Sequence, residues 1–517
     1  MNINKAIQSA IRYYQTGHLQ ESESLCKEIL KLQPDNEDAL HILGLVCYQH
    51  KYYDLAIKYF KKILQMNPKN TFASFNLANS FRGKNILDEA ITYYLKALQY
   101  NPNFEDAYYN LGVTYKEKGQ INEAISSYQK ALQLNPNAAD VYNNIGLISY
   151  EAGQFDKAIT CYQKALQINP GYAKAYYNLG IVFRDTDQLD EAITCYQKAL
   201  QIDPNLAEAH RDLALALLVL GNFKEGWKEY EWRKKVKDHY QRNFPQPLWT
   251  GFNIFGKSIL LHTELGFGDS IQYIRYAPLV AKFGAKVFVE CQKELKSLFQ
   301  NVRGVEQVIA RGEQLPEFDI HCPLLSLPLI FNTSIETIPT NIPYIDADSI
   351  LMQKWRNKVT NKHSKLKIGL VWTTGITDLS KLKSFPLDTF SPLEQFDNIT
   401  FYSLQKGDAA EQAKNPPKDM KLIDYTDEIN DFSDTAALIK NLDLVISADT
   451  AVAHLAGALG SRIWTLLSSV PIWPWMLHHE DSPWYPTMKL FRQPSKGDWG
   501  SVIDKVIVEL QKLLDSN

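Results

Sequence analysis

Apolar side chains recur three and four residues apart through the first 236 residues, the spacing of one face of a helix. In the stretch 105–117 that face is Tyr108, Leu111, Gly112 and Tyr115. The pattern repeats. Prolines stand at 34, 68, 102, 136, 170 and 204, each 34 residues after the last. Gly44, Ala78, Gly112, Gly146, Gly180 and Ala214 form one column of small residues at the same step. Ala56, Ala90, Ala124, Ala158, Ala192 and Gly226 form a second. From about residue 256 the pattern changes to short β-branched runs alternating with helical stretches. Strands are expected at SILLHTE (258–264), AKVFVEC, EQVIA and FDIHCPL, then at LKIGLVWTT, NITFYSLQ, MKLIDYT, LDLVISAD and RIWTLLS. Helices are expected at 348–360 and about 500–515, the last one bracing the pair of series. Residues 237–255, rich in charge, then in proline and aromatics, read as a linker.

A 34-residue period with small residues at two columns and a closing proline is the tetratricopeptide signature of paired antiparallel helices. Units are expected at about 3–36, 37–70, 71–104, 105–138, 139–172 and 173–206, with a capping seventh at 207–236. Seven such units predict a right-handed α-solenoid with a long concave surface. The two strand–helix series predict two doubly wound Rossmann-like α/β domains, at 256–345 and 346–517, with a cleft between them.

Composition narrows the function classes. The chain has 517 residues, 45% apolar and 22% charged, with a net charge of −3. Those values suit a soluble protein and give no basic surface for nucleic acid or an anionic membrane. Cys26, Cys47, Cys161, Cys195, Cys291 and Cys322 are scattered without C-x-x-C spacing, which argues for reduced thiols. The opening MNINKAIQSAIRYY lacks the apolar core of a signal peptide, and no run of 18 apolar residues predicts a membrane span. A cytoplasmic protein without a bound metal is expected.

Five places carry candidate chemistry. Asn76, Asn110, Asn144 and Asn178 recur at one position of the first helices, about 150° from the packing stripe. A carboxamide matches the N–H and C=O of one peptide unit, so a ladder of them can grip an extended chain. The alternative is that asparagine is simply a tolerated residue there. In HTELGFGDSIQ, Gly266 and Gly268 allow a tight turn and close ligand approach, and Asp269 opens a helix either as a reactive carboxylate or as its cap. In LVISADTAVAHLAGALG, Asp449 and Thr450 end a buried strand where a helix begins, a place that holds anions. His454 lies one turn further in, as a ligand or as a packing residue. In TTGITDLSKLKSFPL, Lys381 and Lys383 are cationic arms or solvated surface charges. Trp473 and Trp475 can stack on a base or simply pack their loop.

Taken together, ELGFGDSIQYIRY and DTAVAHLAGALG resemble glycosyltransferase family nine, the heptosyltransferases. The chain is still more similar to bacterial tetratricopeptide proteins that carry such a module, through DFSDTAALIKNLDLVISADTAVAHLAGALG and EDSPWYPTMKLFRQPSKGDW. The asparagine column resembles the ladder of the O-GlcNAc transferases, another repeat–transferase fusion. The resemblance implies a GT-B fold with a nucleotide-sugar as co-substrate and no cofactor. It implies Asp269 as general base. Gly266, Gly268, Lys381, Lys383, Ser384, Asp449, Thr450 and His454 would bind the nucleotide and its phosphates. Two positions depart from the family: Ala451 stands where those enzymes have glycine, and Lys383-Ser384 stands where the fused group often has Arg-Ser. The function implied is inverting, metal-independent transfer of a sugar to a protein or peptide held in the solenoid groove, with water excluded by domain closure. A glycan or lipid-linked acceptor, or a scaffold with a decayed transferase module, are the other readings.

Overall fold

A computed structural model describes residues 2–236, 242–359, 364–374, 383–418, 420–470, 472–477 and 479–516. The chain divides into two compact units, Met1–Val182 and Phe183–Asn517. Among the described residues, 3–230 form fourteen α-helices in seven sequential pairs. These are Ile3–Gln15 with Leu19–Leu32, Glu37–Gln49 with Tyr53–Met66, Thr71–Gly83 with Leu87–Tyr100, and Glu105–Glu117 with Ile121–Leu134. Ala139–Glu151 with Phe155–Ile168, Ala173–Asp185 with Leu189–Ile202, and Ala207–Val219 with Phe223–Tyr230 complete the series. Six second helices end two residues before the closing proline, with Gln33, Asn67, Asn101, Asn135, Asn169 and Asp203 as their C-caps. Proline has no N–H to continue the ladder. Asn36 and Asn70 cap the following first helices by accepting from the N–H groups of Ala39 and Ala73.

The glycine column sets how closely the two helices of a pair approach. A Cβ at Gly44, Gly112 or Gly146 would come within 2.6, 2.6 and 2.8 Å of the rings of Phe60, Tyr128 and Tyr162. The rings therefore lie directly on the helix backbone.

The second unit begins inside the repeat array, not at residue 236. It takes in the last helices, down to Phe223–Tyr230, together with two sheets. The first sheet is parallel, ordered β3-β2-β1-β4, from β1 (Ser258–His262), β2 (Lys286–Cys291), β3 (Val305–Ala310) and β4 (Ile320–Pro323). The second is ordered β10-β11-β9-β8-β5-β6-β7. Its strands are β5 (Leu366–Val371), β6 (Ile399–Ser403), β7 (Leu422–Asp424), β8 (Leu444–Ala448), β9 (Ile463–Leu467), β10 (Asp481–Ser482) and β11 (Tyr485–Arg492). Among the described residues, only the β10–β11 pair is antiparallel. Helix Ser349–Lys358 packs on helix Phe432–Ile439, where the Trp355 indole donates to Asp434 at 3.0 Å.

Three elements differ from expectation. Residues 242–255, expected as a linker, pack on β4: Leu248 bridges to His321, and Trp249 is buried with its N–H on the His321 carbonyl. β10 and β11 are not among the expected strands. Pro486 inside β11 hides the strand, because proline cannot donate to a ladder. Helix Trp499–Asp515 does not brace the two series; its buried face (Val502, Ile503, Val506, Leu510, Leu514) sits in the core of the second sheet. Among the described residues no helix is long and apolar enough to cross a membrane.

Alanine already stands in the glycine column at Ala78 and Ala214, so one extra carbon can be absorbed by a small ring shift. Two γ-methyl groups cannot. Gly112→Val should cost about 1–3 kcal/mol of stability through overpacking against Tyr128. Urea unfolding curves of wild type and variant measure this, and an unchanged midpoint would refute the ring-on-backbone contact.

Candidate functional site

A cavity of about 650 Å³ opens at the carboxyl ends of β5, β6, β8 and β9, with the start of helix Phe267–Tyr273 among its lining. Strand ends of a parallel sheet expose loop backbone and helix N-termini, and ligands settle there. The cavity brings together Gly268, Asp269, Lys383, Asp449, Thr450, Ala451 and His454. Gly266 and Ser384 are not among its lining residues, and Lys381 lies outside the described residues.

Asp269 is the third residue of its helix and half-buried. The backbone N–H groups of Gly266, the helix N-cap, and of Asp269 itself favour its charged form. It also faces the cavity. Burial pushes its pKa up to about 6, and the nearby Asp449 charge adds to the rise. The backbone N–H bonds and Lys383 oppose it.

The two glycines act otherwise than expected. Gly266 has φ −70°, with no left-handed turn. Gly268 is needed by a protein contact: a Cβ there would sit 2.9 Å from Cδ2 of His454.

Asp449 follows β8 and is held from two sides. Lys383 donates to it at 2.7 Å, and the Trp475 indole N–H at 2.8 Å. Burial alone would raise its pKa, but Lys383 and these hydrogen bonds hold it below the ordinary value. Lys383 is thus an ion-pair partner within the wall. Thr450 is the N-cap of helix Ala451–Ala458: its hydroxyl accepts from the Val452 N–H at 3.2 Å and bonds to the Ser447 hydroxyl at 3.0 Å. The hydroxyl of Ser384 accepts from the N–H of Thr374 at 3.0 Å and closes the base of the lysine loop. His454 is buried and stacks near Trp475, with ring centroids 4.9 Å apart. Burial lowers its pKa to about 4, so it is neutral near pH 7. Trp473 and Trp475 are both buried; Trp473 packs edge-on against Trp227 at 5.3 Å and lines one side of the cavity.

Three residues were missed by the sequence reading. Gln405 accepts from the N–H groups of Trp372 and Thr373 and donates to the carbonyls of Thr373 and Lys406. It pins the loops after β5 and β6 to each other. Its only signal was its place at the end of a predicted strand. Arg233, just beyond the last repeat helix, pairs at 2.7 Å with Glu264, both nearly fully buried, and so braces the loop that leads to Asp269. Tyr485 bonds to His454 at 2.9 Å from 31 residues away; it lies inside EDSPWYPTMKLFRQPSKGDW, where nothing set it apart from its neighbours.

Asn76, Asn110, Asn144 and Asn178 all lie in the first unit. Asn76, Asn110 and Asn144 are half-buried and Asn178 is buried. Each amide nitrogen meets a side chain of the preceding first helix. Asn76 bonds to His41 at 3.0 Å, Asn110 to Asn79 at 3.1 Å, Asn144 to Tyr109 at 3.3 Å and Asn178 to Asn143 at 2.9 Å. The column therefore wires successive repeats together.

Sequence models described as tetratricopeptide repeat match residues 37–70, 105–138 and 137–205, and one described as TPR repeat matches 78–119. Protein FlbA of Caulobacter vibrioides is 25% identical over 323 residues, 58% of this chain and 54% of FlbA, so the chain spans about half the length of that relative. Among solved structures, MamA is 30% identical over 32% of this chain and 97% of its own, with a TM-score of 0.30. YrrB, described as a TPR protein with an unusual peptide-binding site, is 21% identical over 36% of this chain and 96% of its own, with a TM-score of 0.31. Residues 37–70 and 78–205 of this chain are tetratricopeptide repeats.

Proposed function

We propose that the chain is a glycosyltransferase of GT-B type, moving a sugar from a nucleotide-sugar to a protein or peptide recruited by its repeats. The observation that carries this reading is one cavity lined by Asp269 together with Asp449, Lys383, His454 and the start of helix Ala451–Ala458. Its volume suits a nucleotide-sized ligand. Two parallel sheets with a ligand cavity at their strand ends are what GT-B donor binding requires.

In this reading Asp269 accepts the proton of the acceptor hydroxyl, for which a carboxyl near pKa 6 is better matched than an ordinary one. The first-turn N–H groups of helix Ala451–Ala458 and the imidazole of His454 face the departing diphosphate, whose charge grows as the sugar bond breaks. A single displacement inverts the anomeric centre. Residues from both sheet layers join one apolar core. Water is then excluded by the acceptor filling the cavity mouth, not by hinge closure.

A scaffold reading has one observation in its favour. Both described lysines of the lining are engaged by protein: Lys383 by Asp449, and Lys406 by the carbonyls of Thr426 and Ile429. A panel of UDP-, ADP-, GDP- and CMP-sugars separates the two. A ligand at a hundred times its Kd stabilises by about 2.7 kcal/mol, readily seen as a thermal shift. At least one class should raise the melting temperature; silence across the panel would favour the scaffold.

Asp269→Asn should abolish transfer while donor binding persists. It also has a pH signature. Between about pH 4 and 6 the native state keeps a proton that the unfolded chain, with an Asp near 3.8, has lost. Wild-type stability from this group therefore falls as pH rises through that window. The Asn variant should gain on wild type at pH 8 and show no such gain at pH 4. Melting temperatures at the two values check this, and an equal offset at both would refute the raised pKa.

Replacing Asn76, Asn110, Asn144 and Asn178 together by Ala should weaken capture of a protein acceptor and also lower the stability of the repeats, since each loses an inter-repeat bond. Donor hydrolysis should be unchanged. Fluorescence-detected peptide binding and donor turnover, measured side by side, test this; joint loss of both would show collapse of the fold and remove the column's assigned role.

A further inference from the structure

One chain of polar contacts in the second unit ends on His454, and its other members have no role in the mechanism above. Arg275, buried, donates from Nε to the Gln272 carbonyl at 2.8 Å and from Nη1 to the Trp484 carbonyl at 2.9 Å. From Nη2 it donates to the phenol of Tyr344 at 3.0 Å, and Tyr344 in turn donates to the Ile271 carbonyl at 3.0 Å. The guanidinium also lies 4.8 Å from the ring centroid of Tyr485. The Tyr485 hydroxyl, at the start of β11, is 2.9 Å from Nδ1 of His454.

Between that hydroxyl and that nitrogen there is room for one proton. A neutral imidazole carries one N–H and one bare nitrogen, and its partner decides which is which. The Tyr485 proton has two acceptors near it, Nδ1 of His454 and the oxygen of Tyr344. The Tyr344 oxygen already accepts from Arg275. An sp² ring nitrogen is also the more basic of the two. The guanidinium beside the Tyr485 ring draws charge from the phenol and strengthens it as a donor. All three effects send the proton to Nδ1.

The hydrogen of His454 then sits on Nε2. That atom lies toward Gly268, 3.3 Å from where a Cβ would be. Gly268 against one part of the ring and Trp475 near its face keep it from turning over.

We propose that Tyr485 is a positioning residue that fixes His454 as its Nε2–H tautomer, so that the cavity wall offers an oxyanion a hydrogen-bond donor and no competing lone pair. The oxyanion is the diphosphate of a nucleotide, and in that clause the proposal rests on the transferase reading; the tautomer does not. Arg275 belongs to the layer of the first sheet and Tyr485 to the second, so the junction between them sets the hydrogen at the cavity.

The test uses full-length protein labelled with 15N in histidine, with the His454 signals assigned by comparison with His454→Gln. Two-bond 1H–15N spectra distinguish the tautomers. Wild type should show a protonated Nε2 and a bare Nδ1. Tyr485→Phe keeps the ring, which packs on Gly457, and should show a mixture of tautomers. Its affinity for UDP, ADP, GDP or CDP, whichever binds the wild type, should fall about tenfold. A wild-type Nδ1–H, or a Tyr485→Phe spectrum unchanged from wild type, overturns the proposal. Should the Phe variant not fold, site-specific 3-fluorotyrosine at 485, a stronger acid of the same shape, should move the Nδ1 shift; an unmoved shift overturns it equally. Absence of binding by every nucleotide with the expected tautomer present would remove the transferase reading and leave the Tyr485 assignment intact.

Discussion

A positive charge in a protein interior must be met on every side or it costs several kcal/mol. Arg275 is met by main-chain carbonyls and aromatic rings, not by a carboxylate among its described partners. The carbonyls come from separate parts of the chain: Gln272 on its own helix, Pro339 in the connection between the sheets, and Trp484 ahead of β11. Moving one layer against the other would strip N–H groups from a buried cation. The arginine is therefore a geometric constraint more than an adhesive, and it favours one relative placement of the two sheets. Around it Phe223 and Trp227 of the last repeat helix, Tyr273 and Tyr276 of the first layer, and Trp473 and Trp484 of the second form one aromatic cluster. The last repeat is thus part of the α/β core, which is why the second unit begins within the repeat array.

That constraint makes the cavity's charges meaningful. Asp269 and Asp449 share one cavity, and each feels the other. Their surroundings drive them apart: Lys383 and the Trp475 indole hold Asp449 charged, while burial pushes Asp269 up to about 6. Pairs of titratable groups separated in this way are how one site supports a base beside a permanently charged group. The same arrangement changes the meaning of the lysine. A free lysine would attract an anion; one bonded to Asp449 orders the wall.

How much of this could be read from the chain depends on how local the cause is. The repeats are legible because each unit repeats one local rule, a proline after the second helix and a small residue under a ring. β1, β5, β8 and β9 are legible because strands buried on both faces are continuous apolar runs. β11 is not, since Pro486 and Lys489 break the run and its burial comes from β9 and Gly457. The motif residues Asp269, Asp449 and His454 were legible as candidates and do meet in one cavity. Their partners were not. Lys383 and Asp449 are 66 residues apart. Arginine in YIRYA reads as surface by its chemistry, and only the tertiary fold buries it.

The asparagines show the same limit from the other side. Helical angles alone put Asn110 away from the packing stripe, and it is indeed only half-buried. Angles within one helix say nothing of the preceding repeat, where the Asn79 side-chain oxygen accepts from its amide nitrogen and also from the hydroxyl of Tyr94. A carboxamide has two N–H groups and an oxygen with two lone pairs, so one inter-repeat bond leaves capacity for a bound chain. The two uses reinforce each other. A side chain already anchored by its neighbour has lost most of its rotamer freedom, and what it binds costs less ordering entropy. An asparagine column that first holds the repeats together is for that reason better prepared to hold a peptide than a free one would be.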